Sequence, residues 1–442
     1  MSSKKNKTPE KQLKTIKIWK RIVTTVEVIF GILLIAVMVI LFVPNVKAEL
    51  IKGMAATPVG QKIISWFGSE AYVHSVFDSN FDTSKLKTNK LKYNYSEEYT
   101  TFVLFGVDSR QGEVDASNSD SILIVNMHNT TGEVKMVSVY RDTMLGIYDK
   151  EGNLNNYFKV NSAYAVGGPE AAINTLNMNL DLDIRDYVTV NFAGVAEIIN
   201  QLGGIKVNLT DDELEQLNYH LVGTANAMGQ YATPVKKSGK NIKLNGVQAT
   251  TYCRIRKATF YDPDTGDAVS DDFGRAARQR LVMMKLVEKA KDAGLTQLQG
   301  MVNTVMNDNS AEDRIISTSF TFDEIINLIP VIFDFELSGS KGFPSELTTG
   351  TYNGTSFVVA RGLADNVSEI HDFLYGEKEY QPTDNVISVE NYVAGYTGVT
   401  QDSDGYNPME SGQQTTGETE TTASVDETIS YDYDDKGKSE FY

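Results

Sequence analysis

Cysteine is almost missing from this chain. Its 442 residues hold one, Cys253, so no disulfide can close within it. That excludes the small secreted domains whose stability depends on several disulfides. Cys253 lies in an apolar, strand-like stretch and reads as a core residue rather than a nucleophile. Histidine is also scarce: His74, His128, His220 and His371 are scattered, without the spacing of a zinc site. No G-x-S-x-G elbow, Walker A loop or G-x-G-x-x-G fingerprint stands between a strand and a helix as its chemistry requires. Basic charge is short too, with 41 Lys and Arg against 58 Asp and Glu and a net charge of −17. Nothing is left over to neutralise a phosphate backbone, so no nucleic-acid partner is expected.

What is present is unevenly placed. Residues 1–21 carry eight bases and one acid (Glu10), a net +7, whereas residues 401–442 carry eleven acids and two bases, a net −9. Residues 22–43 form an apolar run, interrupted only by Thr24, Thr25 and Glu27 near one end. The run is as long as the ~20 residues a bilayer core requires and exceeds the ~7–15 residues of a signal-peptide core. With the basic flank before it, the run predicts a single-pass membrane protein with a cytoplasmic N-terminus and an extracytoplasmic main domain.

The organisation follows from composition and periodicity. Residues 1–21 read as a cytoplasmic basic segment, 22–43 as a transmembrane helix and 44–98 as a juxtamembrane region with a short amphipathic helix over 57–77. A catalytic domain is expected over 99–294, an extension packed on it over 295–396, and an acidic tail over 397–442, too polar to bury a core of its own. Strands are predicted over 101–107, 121–127, 134–139, 187–191, 205–209, 250–255 and 356–359. Helices are predicted from about Gly167, over 192–202, from Asp271 or Asp272 to Ala293 with Gly294 closing it, and over 322–333 and 366–374. The turn Asn129-Thr130-Thr131-Gly132 and the short connections around it favour an antiparallel meander for the first three strands. The fold class is α/β, a mixed central sheet sandwiched between helices.

In such a meander the end of the first strand, the start of the second and the end of the third share one rim. That rim gathers Asp108, Asp120, Arg141 and Asp142. Paired carboxylates with few histidines suit a hard cation such as Mg²⁺ that shares phosphate oxygens. Arg254 and Arg256 lie two apart, on one face of the predicted strand; Arg275, Arg278 and Gln279 lie at i, i+3 and i+4 on one helix face. Arginine is the residue best shaped for bidentate phosphate contacts, and an acidic chain that concentrates it in two short segments has an anion to hold. Read singly, each of these is an ordinary surface ion pair or strand-end turn residue. Lys159 and Asn161 are equally loop caps or ligand contacts, and Phe192, Leu281, Met283 and Met284 read as core.

Taken in order, these segments resemble the LytR–CpsA–Psr family of cell-wall glycopolymer ligases. The resemblance rests on Phe-Gly-Val-Asp-Ser-Arg ending at Arg110, Ser-Asp-Ser-Ile ending at Ile122 and Arg-Asp-Thr ending at Thr143. It continues through Lys-Val-Asn-Ser-Ala-Tyr, Gly-Gly-Pro-Glu, Val-Asn-Phe and Leu-Gly-Gly-Ile to Arg-Ile-Arg ending at Arg256 and Asp-Phe-Gly-Arg-x-x-Arg-Gln-Arg ending at Arg280. His371 to Gly376 also looks like the C-terminal part of such proteins. The resemblance implies transfer of a phosphorylated glycopolymer, such as teichoic acid or capsule, from a polyprenyl-pyrophosphate carrier to peptidoglycan. It assigns Mg²⁺ (or Mn²⁺) to Asp108 and Asp120, and the pyrophosphate to Arg141, Arg254, Arg256, Arg275, Arg278 and Gln279. The lipid chain is expected in an apolar tunnel between sheet and helices. Two positions depart from the family's usual residues: Asn118 stands where Arg is usual, with Arg110 as the substitute contact, and Tyr140 stands where Pro is usual. The same residues also suit hydrolysis, with water in place of the sugar hydroxyl, or a regulator that binds polyprenyl phosphates without turnover.

Overall fold

A computed structural model describes residues 78, 80–107, 117–262, 266, 268–293, 316–320 and 336–406. The expected membrane span (22–43), the helices over 57–77 and 322–333, Gly294 and the residues after 406 lie outside these. Among the described residues no helix is long and apolar enough to cross a membrane.

In chain order the elements are β1 (Tyr99–Val107), β2 (Ser119–His128), β3 (Glu133–Val139), β4 (Met144–Tyr148), β5 (Leu154–Lys159), α1 (Ser162–Leu180) and β6 (Asp186–Asn191). Then come α2 (Phe192–Gln201), β7 (Ile205–Leu209), α3 (Asp211–Ala227), β8 (Gly239–Leu244), α4 (Gly246–Tyr252), β9 (Phe260–Tyr261), β10 (Ala268–Val269) and α5 (Asp271–Asp292). The last are β11 (Ile316–Thr318), β12 (Glu336–Phe343), β13 (Leu347–Tyr352), β14 (Thr355–Ala360), α6 (Leu363–Tyr375) and α7 (Asp384–Thr397).

The central sheet runs β11-β6-β1-β2-β3-β12. β1, β2 and β3 form the expected antiparallel meander, with Phe102 opposite Val125 and Val125 opposite Met136. β6 adds parallel to β1 and β12 parallel to β3, which makes the sheet mixed. Alternation along the strands sends Val103, Phe105, Ile122, Ile124 and Val137 to one face, against α1 and α6. It sends Phe102, Leu104, Leu123, Val125 and Met136 to the other, against Met283 and Met284 of α5. Each such side chain taken fully from water stabilises by roughly 1.5–3 kcal/mol, so both faces hold the sheet. A satellite unit of α2, β7, β8, α3 and α4 has its own core around Leu217, Leu244 and Tyr252 and meets α5 through Leu281 and Val282.

Three expectations of the sequence reading change, and the structure adds β4, β5, α3, β8, β12, β13 and α7 to the expected elements. The strand expected over 250–255 is instead the end of helix α4 and the turn after it. Asn245 and Gln248 cap α4 reciprocally, each side chain taking the other's backbone N–H at 2.9 Å. Thr251, β-branched and strand-like by propensity, has its hydroxyl absorbed by the Val247 carbonyl at 2.7 Å. The N-x-x-Q signal and complete burial outweigh propensity here. Second, α1 begins at Ser162, one turn earlier than expected; Gly167 and Gly168 leave helical geometry and Pro169 restarts it. Third, residues past the expected tail boundary at 397 pack on the domain. The Tyr406 N–H donates to Leu347 O at 2.8 Å, and its ring lies 5.3 Å from that of Phe273.

Candidate functional site

The rim of the meander opens on a cleft of about 810 Å³, lined on this side by Gly106, Asp120, Ser121, Arg275 and Gln279. Asp120 is the second residue of β2, beside the last residues of β1: Gly106 pairs with Ser121 and Val107 with Ser119. A Cβ on Gly106 would sit 2.9 Å from that of Ser121, so glycine lets the strands close at this rim. Asp108 follows Val107 directly in the chain. Asp108 and Arg110 lie outside the described residues.

Arg141 Nη1 meets Asp120 Oδ1 at 2.5 Å, and its Nε lies 3.5 Å from Asp272 and 3.9 Å from Asp142. Asp142 also takes Lys159 Nζ at 3.0 Å. Asp272, in the first turn of α5, is the hub: Arg275 Nη2 lies 2.8 Å and Arg256 Nε 3.3 Å from its oxygens. Arg275 further reaches the Asp120 backbone carbonyl at 3.4 Å. The sequence pattern suggests Asp271 or Asp272 as the helix cap, but Ser270 occupies the N-cap position and Asp272 ties the arginines together.

Burial pulls the Arg141 guanidinium down, but Asp272, Asp120 and Asp142 together hold it above its ordinary value. Arg275 behaves differently. It is only 5% exposed, and burial, with Arg141 and Arg256 beside it, brings it down to about 10 despite Asp272. Among the described residues, the Nε atoms of both Arg141 and Arg275 are buried without a hydrogen-bond acceptor. Buried donors in surplus, on guanidinium groups that crowd one another, make a site that gains from an incoming anion.

Arg254 and Arg256 do not share a strand face. They lie on the turn after α4 and project from it differently. Arg256 reaches Asp272, whereas Arg254 donates to Thr224 Oγ1 at 3.0 Å and stacks 4.8 Å over the Phe192 ring. Both still line the cleft. Gln279 is in the cleft wall and donates to the Cys253 carbonyl at 3.4 Å. Cys253 is half-buried after α4, and burial pushes its thiol up to about 12, so it stays an inert thiol.

Arg278 requires a correction. It is fully buried and away from the cleft, with Nε 2.9 Å from Glu213 Oε1 and its other nitrogens on the Ile255 and Ala258 carbonyls at 3.3 and 2.7 Å. It binds no phosphate in this arrangement. It fixes the 253–258 turn that carries Arg254 and Arg256. Glu213 serves twice, since its other oxygen caps α3 at Thr210 N. Tyr140, where Pro is usual, donates its backbone N–H to Phe343 O at 2.9 Å, a bond proline cannot make. Asn118 is exposed just before β2.

The described side chains fit a hard cation. Asp120 offers carboxylate oxygen to the cleft and gives only one oxygen to Arg141. Mg²⁺ is ordinarily held by one or two carboxylates plus substrate phosphates and keeps several waters, rather than by a full protein cage. Among the described residues no cluster of three His, Cys, Asp or Glu gathers for a metal.

Residues 69–328 match the model of the LytR_cpsA_psr family. The chain is 28% identical over 289 residues to the polyisoprenyl-teichoic acid–peptidoglycan teichoic acid transferase TagU of Bacillus cereus, covering 61% of this chain and 82% of that protein. The Bacillus subtilis TagU is 29% identical over 261 residues, covering 59% and 72%. Among solved structures, TagT bound to LIIa-WTA superposes with a TM-score of 0.50 at 20% identity, over 70% of this chain and 100% of that one. Protein gbs0355 from Streptococcus agalactiae does so with a TM-score of 0.50 at 22% identity, over 67% and 93%. With over half of its length matched, and with its mixed sheet between helices, this chain belongs to the LytR–CpsA–Psr family.

Proposed function

We propose that this chain is a membrane-anchored, extracytoplasmic transferase that moves a phosphorylated glycopolymer from a polyprenyl-pyrophosphate carrier to peptidoglycan. The names of the TagU relatives support the reaction class and the substrates. The observation that carries the reading here is the convergence of Arg141, Arg256 and Arg275 on Asp120 and Asp272 beside one cleft, which Asp120, Arg256 and Arg275 line. The anchor is the apolar run 22–43 behind its +7 flank.

In this reading the pyrophosphate enters between Arg141, Arg256 and Arg275 and takes the donors that burial has stripped of water. Arg254, held by Thr224 and Phe192, also lines the cleft. The acceptor hydroxyl attacks the phosphorus joined to the sugar polymer and gives up its proton to solvent, the new P–O bond forms as the one to the lipid phosphate breaks, and polyprenyl phosphate leaves. Fixed guanidinium groups stabilise the charge that builds on the transferring and leaving oxygens, with no reorganisation at that moment. Asp120, with Asp108, would hold Mg²⁺ or Mn²⁺, which supplies Lewis-acid stabilisation of the same charge. The apolar layer between the sheet and α5, around Leu123, Val125 and Met283, is the proposed seat of the lipid chain.

The test is turnover of a lipid-linked glycopolymer by the full chain in detergent, with and without Mg²⁺ and a peptidoglycan acceptor. Product formation that needs both Mg²⁺ and the acceptor supports the reading. Lipid release at the same rate without acceptor would make the protein a hydrolase, and binding without release a receptor. Asp108→Ala and Asp120→Ala should each abolish Mg²⁺-dependent turnover in folded protein; activity like wild type in either removes it from the metal site.

A further inference from the structure

The cleft continues past the arginine floor to a second end of different chemistry. There the wall is α3, which contributes His220, Gly223, Thr224 and Asn226, and the facing rim is Lys257. The floor offers guanidinium groups. This end offers mainly neutral hydrogen-bonding groups, an imidazole and a carboxamide. Burial, with Arg254 and Lys257 close by, lowers His220 below its ordinary value, which keeps the ring uncharged at neutral pH. Arg254 joins the two ends, since it lines the cleft and donates to Thr224.

In the middle of this wall stands a glycine inside a helix, where glycine costs about 1 kcal/mol relative to alanine. Gly223 has no conformational need for its lack of a side chain. It is not among the residues with positive φ, and a Cβ built on it meets nothing within 4 Å. Gly223 lines the cleft, and among the described residues a Cβ there meets only open space. The structure therefore gives a reason for glycine only on the cleft side, where it keeps the wall low.

Resting on the transferase reading above, we infer that Gly223 is a specificity-determining residue: it makes room, between α3 and Lys257, for the first glycosyl units attached to the pyrophosphate. His220 and Asn226 supply hydrogen bonds of the kind sugar hydroxyl and acetamido groups exchange, while Thr224, buried, spends its hydroxyl on the His220 carbonyl and on Arg254. The bulk that residue 223 presents then sets which glycosyl units the transferase accepts, while the arginine floor handles the pyrophosphate whatever it carries.

The experiment compares two probes on the full chain in detergent: a polyprenyl pyrophosphate without sugar, and the same lipid carrying an amino-sugar disaccharide. Gly223→Leu should bind the bare lipid within about twofold of wild type and the glycosylated lipid about tenfold or more weakly, the scale on which a pocket wall rejects an added group. Gly223→Ala should fall between, and neither variant should lower the melting temperature, because both residues favour a helix over glycine. Gly223→Leu binding both lipids in the wild-type ratio overturns the inference and leaves the pyrophosphate site standing. A wild-type protein that binds neither lipid overturns the reading of the cleft and the inference with it.

Discussion

The arginines of this chain divide by what surrounds them, and the division is measurable. Arg256 and Arg275 have donors facing a cleft, so Arg256→Ala and Arg275→Ala should each weaken polyprenyl-pyrophosphate binding by roughly 1.5–3 kcal/mol, the size of a lost bond to a charged group. Lysine should restore only part of this, lacking the planar fork. Arg278 and Glu213 form an ion pair whose side chains are 0% and 3% exposed. Arg278→Ala leaves a buried carboxylate alone and should destabilise the protein by roughly 3–5 kcal/mol. Chemical denaturation set beside lipid titration separates the two classes; an Arg278→Ala protein as stable as wild type but unable to bind lipid would falsify the structural role. His371 gives a pH signature. It is fully buried, its Nε2 lies 3.0 Å from Leu180 O, and it stacks 3.6 Å from Tyr380. Burial holds its folded pKa below the ordinary 6.5. The unfolded chain therefore takes up protons first, and the stability this neutral ring contributes is full above pH 6.5 and is lost as the pH falls below it. The melting temperature of wild type should drop more steeply between neutral and mildly acidic pH than that of His371→Phe; parallel curves would sink the assignment.

At the scale of elements, the C-terminal end of the domain lies further along than composition indicates. Arg361 Nη2 donates to Gln401 O at 2.9 Å, and Tyr406 bonds Leu347 and packs near Phe273, the residue after Asp272. Removing residues 407–442 should leave the melting temperature nearly unchanged, since that acidic composition cannot bury enough apolar area to offset its ordering entropy. Removing residues 400–442 should lower it measurably and loosen the start of α5, with a fall in lipid affinity. Equal melting temperatures for the two truncations would show that 400–406 contributes nothing. Tyr140 belongs to this scale as well. Its N–H is one rung between the end of β3 and β12, so restoring the family's proline by Tyr140→Pro should destabilise the chain rather than improve it.

For the whole molecule, the reading places a negatively charged domain on the outer side of a membrane, held by 22–43. Protease treatment of intact cells should then remove the domain while cytoplasmic controls survive; a domain protected together with those controls reverses the proposed orientation. The net charge of −17 sets a condition on the chemistry. An acidic protein repels a polyanionic donor at long range, so capture depends on the local arginine cluster and on the lipid chain. Raising salt should therefore not weaken donor binding steeply, as it does where a basic surface does the steering.

The sequence by itself determined the layers and much of the rim. Alternation and a four-residue turn were enough for the β1–β2–β3 meander. Because a meander brings strand ends together, Asp120, Arg141 and Asp142 share a site by topology alone. Ordered motifs brought in Arg256, Arg275 and Gln279, which local pattern could not have placed. Only the tertiary structure decided which arginine faces what. Arg275 and Arg278 are one turn apart on α5, a helix buried against the sheet on one side and the α3–α4 unit on the other. Helical spacing places two residues on neighbouring stripes but not in the same environment, and here one stripe meets the cleft and the other a carboxylate on α3. The strand misread over 250–255 has the same origin: threonines favour strands when nothing else acts, but a capping box and burial on all sides made them helix. Asp272 reads as a cap because sequence shows a carboxylate's place on its own helix, beside Arg275 one turn on, and not the two guanidinium groups of Arg141 and Arg256 that folding brings to it from elsewhere.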